Sequence, residues 1–339
     1  MIFSDLILIF FILLNLFIIT YFQKLKIFHY VIDKPDKVRK LHSKPTPLAG
    51  GQIICLNILI YCVFVYFHRE ILEIEIFFKN IKSLNFFMLA FFSIFLIGII
   101  DDKIDFQANT KFLLLAIIIT ILLLFDDDVV LNNIRFSFLE RSFSLHYFDV
   151  IFSVLCFLIF LNAFNMFDGI NLQAISYSLF IFLILTFFFV NSFILKILII
   201  NLVTFSYLNL KNKSFLGDSG SLLLGFLISY FFIKLYNFNY FNYADQITLF
   251  MLIPGLDLIR LFISRIYRKK NPLSPDRNHL HHLLLSKYSF KFSIITILLF
   301  ISFPIFLEYF KINNMLTILL TTIIYFALVF FLERKKTTL

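Results

Sequence analysis

Apolar runs of Phe, Leu and Ile recur along the whole of this 339-residue chain and constrain its fold more than any other feature. Hydrophobic residues make up 60% of the sequence, which contains 51 Phe and no Trp. This composition lies far outside the range of soluble globular proteins. A run of about 20 apolar residues is long enough to cross a bilayer as a helix. The sequence therefore predicts an all-α polytopic membrane protein in which residues 1–339 form a single integral-membrane domain.

Eleven apolar segments are candidates for separate transmembrane helices. As one helix, the run 172–210 would be about 58 Å long, which is far too long for one span, so we divide it at Asn191-Ser192. The predicted segments are 2–22, 50–67, 85–100, 112–125, the run from 149 into the polar stretch 162–171, the two halves of 172–210, 219–236, 246–264, 292–310 and 315–332.

The distribution of Lys and Arg predicts the orientation of these segments. With the N-terminus outside and the C-terminus in the cytoplasm, the inside loops carry about three times as many Lys and Arg as the outside loops. With this orientation, every polar stretch that resembles a functional motif lies at the cytoplasmic face. The net charge of +9 has the same origin, and its spread over separate loops argues against nucleic-acid binding. Cys55, Cys62 and Cys156 lie in apolar runs and are interpreted as packing residues.

Two short acidic stretches are candidates for metal and phosphate chemistry. Asp101 and Asp102 end the third segment, where paired carboxylates can hold Mg²⁺ or accept a proton, or can be a solvated helix end. Asp218 follows Gly217 at the start of the eighth segment. It can cap the helix N-terminus, or it can hold a metal beside backbone amides that bind phosphate.

A row of polar side chains lies at the end of the fifth segment. Asn162, Asn165 and Asp168 are spaced by three residues and therefore share one face of a helix. Polar groups aligned within a span are costly and indicate a functional site, with hydrogen bonding between helices as the alternative. Gly169 allows the backbone to break or to approach a ligand closely.

Three of the seven histidines, His279, His281 and His282, lie within four positions of each other, two residues after Arg277. These residues suit either a zinc site or a phosphate clamp. The spacing is not that of a structural zinc site and no Cys lies nearby, so binding of a diphosphate by Arg277 and the histidines is favoured.

Together these stretches resemble the polyprenyl-phosphate N-acetylhexosamine-1-phosphate transferase superfamily, glycosyltransferase family 4. The resemblance covers nearly the whole chain. It rests on the Asp101-Asp102 pair, Asn-Ala-Phe-Asn-Met-Phe-Asp-Gly at 162–169, Phe-Leu-Gly-Asp-Ser-Gly-Ser at 215–221, Ser-Pro-Asp-Arg-Asn-His-Leu-His-His at 274–282, and 33–51 with Arg39 and His42.

The form of the histidine stretch resembles the WecA-type branch, which makes lipid carriers for surface polysaccharide such as lipopolysaccharide or O-antigen. The alternative branch is the phospho-N-acetylmuramoyl-pentapeptide transferase of peptidoglycan synthesis, which typically has a run of consecutive histidines. The chain departs from the family pattern at Asn171, where a second Asp is common, and at Leu172, where Gly is common.

The resemblance implies transfer of a HexNAc-1-phosphate from a UDP-N-acetylhexosamine to undecaprenyl phosphate, with release of UMP. It also implies a Mg²⁺ cofactor, which Mn²⁺ could replace. The enzyme would lie in the bacterial inner membrane, in contact with membrane lipid, with its active site at the cytoplasmic face. A homodimer is compatible with this assignment.

Carried onto this sequence, the resemblance assigns a role to each motif residue. Asp101 or Asp102 acts as the base for the lipid phosphate, with Asp101 favoured. Asp218 holds Mg²⁺, with Asn165 as a second candidate ligand. The other catalytic residues are Asp168, His281 and His282, and the substrate-binding residues are Asn162, Asn165, Asn171, Arg277, His279, Lys44 and Thr46.

A polytopic transporter is the rival class of protein. Transporters usually place polar residues near the bilayer midplane and often contain internal repeats. In this chain the polar residues cluster at segment ends on one side, and the sequence has no evident repeat.

Overall fold

The computed structural model describes residues 2–35, 44–68, 75–139, 141–270 and 278–334. Within these residues the fold is helical. The helices are α1 Ile2–Tyr21, α2 Gly50–Phe67, α3 Ile81–Ile104, α4 Ala108–Phe125, α5 Asp149–Phe167, α6 Gln173–Ile184, α7 Phe193–Leu210, α8 Gly217–Asn237, α9 Ala244–Tyr267, α10 Leu280–Leu285, α11 Phe290–Tyr309 and α12 Asn314–Arg334. A π-helical turn, Leu185–Phe189, extends α6, and single 3₁₀ turns lie at Lys26–His29, Asp127–Val129 and His146–Phe148.

Each of the eleven predicted apolar segments coincides with one helix. Among the described residues, nine helices are long and apolar enough to cross a membrane, and two shorter apolar helices cover Asp5–Tyr21 and Gln173–Phe189. The predicted division of 172–210 is confirmed, because the helical structure is interrupted between Phe189 and Phe193. The chain is thus an all-α, multi-pass membrane protein. The number of eleven spans and their orientation stay predictions.

The chain forms two compact units. Unit 1 consists of Met1–Asp127 and Ala174–Ile228, and unit 2 consists of Asp128–Gln173 and Ser229–Leu339. The single domain expected over 1–339 stays a prediction.

In unit 1, α2 packs on α3 and α7, and α3 forms an antiparallel pair with α4. Gly98 allows α3 to approach the start of α8 closely. A Cβ atom at Gly98 would lie 2.3 Å from the Cα atom of Ser219, so no larger residue fits without a shift of the backbone. Since Asp102 lies one turn after Gly98, this close contact brings its carboxylate to the N-terminus of α8.

Two short strands of unit 1 fix the segment that leads into α2. Strand β1, Ile32–Asp33, pairs in antiparallel fashion with β2, Thr46–Pro47. Leu48 then bridges to Phe215, just before α8. The entrance to α2 and the loop before α8 are therefore held together.

In unit 2, α9 packs against α5, α11 and α12, and the short helix α10 packs against α11 and α12. Strands β3, Asn133–Ile134, and β4, Phe143–Ser144, form a separate antiparallel pair. His279 is the N-cap residue of α10. The described part of the histidine stretch therefore forms the beginning of α10, which packs within unit 2.

The predicted orientation can be tested by labelling single introduced cysteines with an impermeant thiol reagent in intact cells. Lys213 lies in the loop before α8 and is exposed, whereas its neighbour Ser214 is fully buried and would resist labelling on either side. We expect a cysteine at Lys213 to be protected and one at the exposed Asn132 to be labelled. Labelling at Lys213 with protection at Asn132 would reverse the assigned orientation. Permeabilised cells give the control, since both positions should then react.

Candidate active site

Asp102 caps the N-terminus of α8 from the neighbouring helix α3. Its Oδ1 accepts a hydrogen bond from the backbone N–H of Asp218 at 2.7 Å, and its Oδ2 accepts one from the N–H of Ser219 at 3.1 Å. A carboxylate is favoured at this position because the first amides of a helix have no partner within the helix and carry partial positive charge. The carboxylate of Asp102 therefore caps α8.

Lys111 lies between the carboxylates of Asp101 and Asp218 in unit 1. Its Nζ is 2.6 Å from Oδ2 of Asp101 and 3.4 Å from Oδ2 of Asp218. The carboxylate of Asp101 is buried and also accepts a hydrogen bond from the N–H of Phe106 at 2.8 Å. The Asp218 side chain is 41% exposed. We call these four residues the acidic cluster: three carboxylates, of Asp101, Asp102 and Asp218, with the ammonium of Lys111 beside two of them.

The acidic cluster was only partly predicted. Asp101, Asp102 and Asp218 were expected at one site, and unit 1 brings them together. Lys111 was missed, because a single Lys in an inside loop looks the same as the general excess of positive charge there. Its distance of ten residues from Asp101 places it at the start of α4, on the other side of the α3–α4 turn.

The acidic cluster suits a divalent cation, and Asp218 is the side chain that would bind it. Among the described residues, no group of three or more His, Cys, Asp or Glu side chains is arranged to hold a metal ion. Mg²⁺ does not need such a group, because it usually binds one or two carboxylates together with substrate phosphates and water. Both oxygens of Asp102 are engaged by backbone amides, and Asp101 is buried against Lys111. The exposed carboxylate of Asp218 remains the best ligand in the cluster.

Three histidines form the core of a second cluster, in unit 2. The rings of His279 and His281 are nearly parallel, with centroids 5.4 Å apart, and the rings of His281 and His282 are 4.3 Å apart. Nδ1 of His279 lies 2.8 Å from Oδ2 of Asp257. Asp257 is also paired with Arg260 at 2.8 Å, as their spacing of three residues on one helix allows.

His281 is buried against the backbone of Gly169. A Cβ atom at Gly169 would lie 1.9 Å from Nε2 of His281, so the ring occupies the space that any side chain would need. Burial, with the neighbouring rings of His282 and His279, holds the pKa of His281 well below its ordinary value. His281 is therefore neutral near pH 7, and it can bind a phosphate by hydrogen bonding but not by charge.

The contact at Gly169 also fixes the end of α5. Asp168 directly precedes this glycine, and its N–H donates to the carbonyl of Phe164 at 3.1 Å. Asn162, Asn165 and Asp168 are half-buried at the spacing predicted for one helix face.

Leu172 has a φ of +66°, in the left-handed region that favours glycine. This is the position at which the resemblance predicted Gly and the chain has Leu. The chain keeps the turn that glycine would favour and accepts the strain of a larger residue there.

The sequence is similar to one family of glycosyl transferases and to several bacterial transferases. The model of glycosyl transferase family 4 matches residues 84–236. A relative from Thermotoga maritima is 29% identical over 259 residues, which cover 76% of this chain and 73% of the relative. Relatives from Salmonella typhi and Escherichia coli K12 are each 24% identical over 271 residues, 75% of this chain and 69% of theirs. All three are named undecaprenyl-phosphate alpha-N-acetylglucosaminyl 1-phosphate transferase.

Over residues 84–236 the chain is similar to glycosyl transferase family 4. The matched range contains the whole acidic cluster and the row of polar residues on α5. This match and the names of the three relatives confirm the resemblance found in the sequence.

The other predicted site residues are buried, exposed or outside the described part of the chain. Thr46 is buried, and its hydroxyl donates to the carbonyl of Lys44 at 3.1 Å, while the Lys44 side chain is exposed. Asn171 is half-buried. Arg277, with Arg39 and His42, lies outside the described residues. The roles predicted for these residues stay predictions. It also stays a prediction that all five stretches contribute to one active site.

Lys111 gives a direct test of the acidic cluster. We expect Lys111→Met to lower kcat by about a hundredfold to a thousandfold, the usual cost of removing one group that stabilises developing negative charge. Lys111→Arg should retain part of the activity, because it keeps the positive charge. Lys103→Met, which changes an exposed Lys near the end of α3, is the matched control and should leave turnover unchanged. Equal turnover of Lys111→Met and Lys103→Met would exclude a role for Lys111 in the reaction.

Proposed function

We propose that this chain transfers N-acetylglucosamine 1-phosphate, or a closely related HexNAc-1-phosphate, from the UDP-sugar to undecaprenyl phosphate and releases UMP. One observation carries the proposal: Asp101, Asp102, Asp218 and Lys111 meet at the N-terminus of α8, within the range that the family model matches. The names of the three relatives supply the substrates. The product would start a lipid-linked surface glycan.

The reaction is a phosphoryl transfer. An oxygen of the lipid phosphate forms a bond to the sugar-linked phosphorus, and the bond from that phosphorus to the oxygen bridging the two phosphates breaks. UMP leaves with that oxygen, so no atom is gained or lost. Catalysis of such a reaction depends mainly on positioning and on stabilising negative charge.

The acidic cluster supplies a positive group, a cation ligand and a base. The ammonium of Lys111 would contact the diphosphate from its place between Asp101 and Asp218. Asp218 would hold Mg²⁺, which neutralises phosphate charge when it is bound. Asp101 is the better candidate for the base, because only one of its oxygens accepts from a backbone amide, that of Phe106, whereas both oxygens of Asp102 accept from the backbone of α8.

The residues of unit 2 would bind the substrates. His279 and His282 would hydrogen-bond phosphate oxygens, and His281 would keep Asp168 in place through its contact with Gly169. Asn162, Asn165 and Asn171 would contact the UDP-sugar, and Arg277 would pair with the diphosphate. Asn165 stays a second candidate for the metal.

The site is proposed to face the cytoplasm at the inner membrane of a bacterium. A membrane face is needed because the UDP-sugar is dissolved in water while undecaprenyl phosphate is anchored in lipid. The positive charge of the loops predicted to lie inside favours the cytoplasmic face. A homodimer stays a prediction.

Release of UMP tests the proposal. With the protein purified in lipid nanodiscs, UMP should accumulate only when UDP-N-acetylglucosamine, undecaprenyl phosphate and Mg²⁺ are all present. EDTA should stop the reaction, and Mg²⁺ or Mn²⁺ should restore it. Release of UDP instead of UMP, or release that does not depend on the lipid, would contradict the proposed function.

The number of chemical steps can be tested with labelled UMP. We favour a single displacement, because the lipid phosphate is already an anionic nucleophile while an aspartate would have to form a high-energy acyl phosphate. Exchange of labelled UMP into the UDP-sugar should then require undecaprenyl phosphate. Exchange by delipidated protein, with carried-over lipid excluded by mass spectrometry, would establish a covalent intermediate instead.

A further inference from the structure

Asp257 accepts hydrogen bonds from four donors in unit 2. Its Oδ1 accepts from the Tyr325 hydroxyl at 2.7 Å, from Nη2 of Arg260 at 2.8 Å and from the N–H of Leu280 at 3.2 Å. Its Oδ2 lies 2.8 Å from Nδ1 of His279. Asp257 is 5% exposed, and neither the sequence motifs nor the proposed mechanism give it a role.

This arrangement determines which nitrogen of His279 carries a proton. An aspartate held beside the guanidinium of Arg260 is ionised and can only accept hydrogen bonds. Nδ1 of His279 must therefore donate to Oδ2. In the neutral ring the proton is then on Nδ1, and Nε2 keeps its lone pair.

The start of the histidine helix is held by the same groups. Arg260 also donates to the carbonyl of Asn278 at 2.5 Å, and His279 is the N-cap residue of α10. Asp257 itself accepts a hydrogen bond from the N–H of Leu280. The backbone on both sides of His279 is thus fixed to α9, which leaves little freedom for the ring to turn over.

We propose that Asp257 is a positioning residue that holds His279 as the Nδ1–H tautomer, so that Nε2 can accept a proton from the hydroxyl of a bound phosphate monoester. The proton would move from the phosphate oxygen to Nε2 of His279, which would take the place of Asp101 as the acceptor of that proton. This transfer leaves a more nucleophilic dianion, and Asp257 would stabilise the imidazolium that forms. This inference rests on the proposed function, in which undecaprenyl phosphate is that monoester.

Asp257→Asn tests the proposal without changing the shape of the side chain. The three groups on Oδ1 include Arg260 and a backbone N–H, which can only donate, so the amide oxygen of Asn must take that position. The amide NH₂ then faces His279, and Nδ1 becomes an acceptor. The variant therefore converts His279 to the Nε2–H tautomer while the packing is kept.

The first measurement is the ¹⁵N spectrum of labelled histidine in bilayers, with the His279 signals assigned by difference from His279→Gln. The wild type should show a protonated Nδ1 and a bare Nε2, and Asp257→Asn should show the reverse. A bare Nδ1 in the wild type, or no change in the variant, would overturn the proposal. This result does not depend on whether the proposed function is correct.

The second measurement is steady-state kinetics. Asp257→Asn should lower kcat by at least about a hundredfold, the lower end of what a correctly placed acid or base contributes, while KM for both substrates changes little. Asp245→Asn is the matched control, since Asp245 is a buried acid on the same helix that bonds to Ser137 and Asn314. It should keep wild-type kcat.

The two measurements separate the possible outcomes. A tautomer change with unaltered kcat would overturn the role of His279 as proton acceptor. A wild type that shows the Nδ1–H tautomer but makes no lipid product from any UDP-sugar would refute the proposed function instead and leave the positioning by Asp257 established.

Discussion

Asp218→Asn is expected to lower turnover at least about a hundredfold while the protein inserts, purifies and unfolds like the wild type. The backbone N–H of Asp218, which Asp102 binds, is unchanged by the substitution. Only the charge of a side chain that is 41% exposed is lost. Loss of a metal ligand at a phosphoryl-transfer site removes several kcal/mol of stabilisation, and each 1.36 kcal/mol corresponds to a factor of ten in rate.

A titration with Mg²⁺ distinguishes a metal ligand from a general electrostatic effect. We expect Asp218→Asn to need more Mg²⁺ for half-maximal activity than the wild type, in addition to its lower maximum. The control is Asp105→Asn, an exposed acid at the end of α3 with a φ of +55°, a conformation that Asn adopts readily. This control should behave like the wild type. Near-wild-type turnover of Asp218→Asn would exclude Asp218 as the essential ligand.

Gly169→Ala should have the second large effect. The added methyl group would lie 1.9 Å from Nε2 of His281, so the ring or the turn after Asp168 has to move. Overpacking of this kind costs about 1–3 kcal/mol in stability. A displacement of about 1 Å at a catalytic group can cost about a hundredfold in rate. We therefore expect a moderate fall in thermal stability and about a hundredfold fall in kcat.

Gly255→Ala gives the control for this prediction. Gly255 lies on α9 in the same unit, and a Cβ atom there would meet nothing within 4 Å. The same chemical change should thus leave both stability and turnover near their wild-type values. If Gly169→Ala were as active as Gly255→Ala, the contact between His281 and Gly169 could have no role in positioning Asp168.

The helices could be predicted from the sequence because their signal is local. A run of about 20 apolar residues indicates a span wherever it lies in the fold, and the polar pair Asn191-Ser192 indicated the break in the longest run. The structure begins the third helix four residues before the predicted segment and ends it four residues after, because Asp101 and Asp102 continue α3 as helix. Because these two residues are polar, the sequence predicted that the segment ends before them, whereas the helix continues through them.

The sequence predicts which residues belong to the site but not which contacts they make. The acidic positions were identifiable from their types and positions at segment ends. The cap that Asp102 provides to α8 joins positions 116 residues apart, and spacing along the sequence contains no sign of it. The neutrality of His281 likewise depends on its burial against Gly169, which the sequence does not show.

The lipid product is the most direct test of the central claim that this chain moves a sugar phosphate and not a sugar. Purified protein would be offered UDP-N-acetylglucosamine, UDP-N-acetylgalactosamine and UDP-N-acetylmuramoyl-pentapeptide, each with undecaprenyl phosphate and Mg²⁺, and the lipids would be identified by mass spectrometry. We predict undecaprenyl diphosphate linked to one N-acetylhexosamine, with UMP in equal amount. A product with a single phosphate and release of UDP would contradict the account, and a product from the muramoyl-pentapeptide alone would assign the chain to peptidoglycan synthesis.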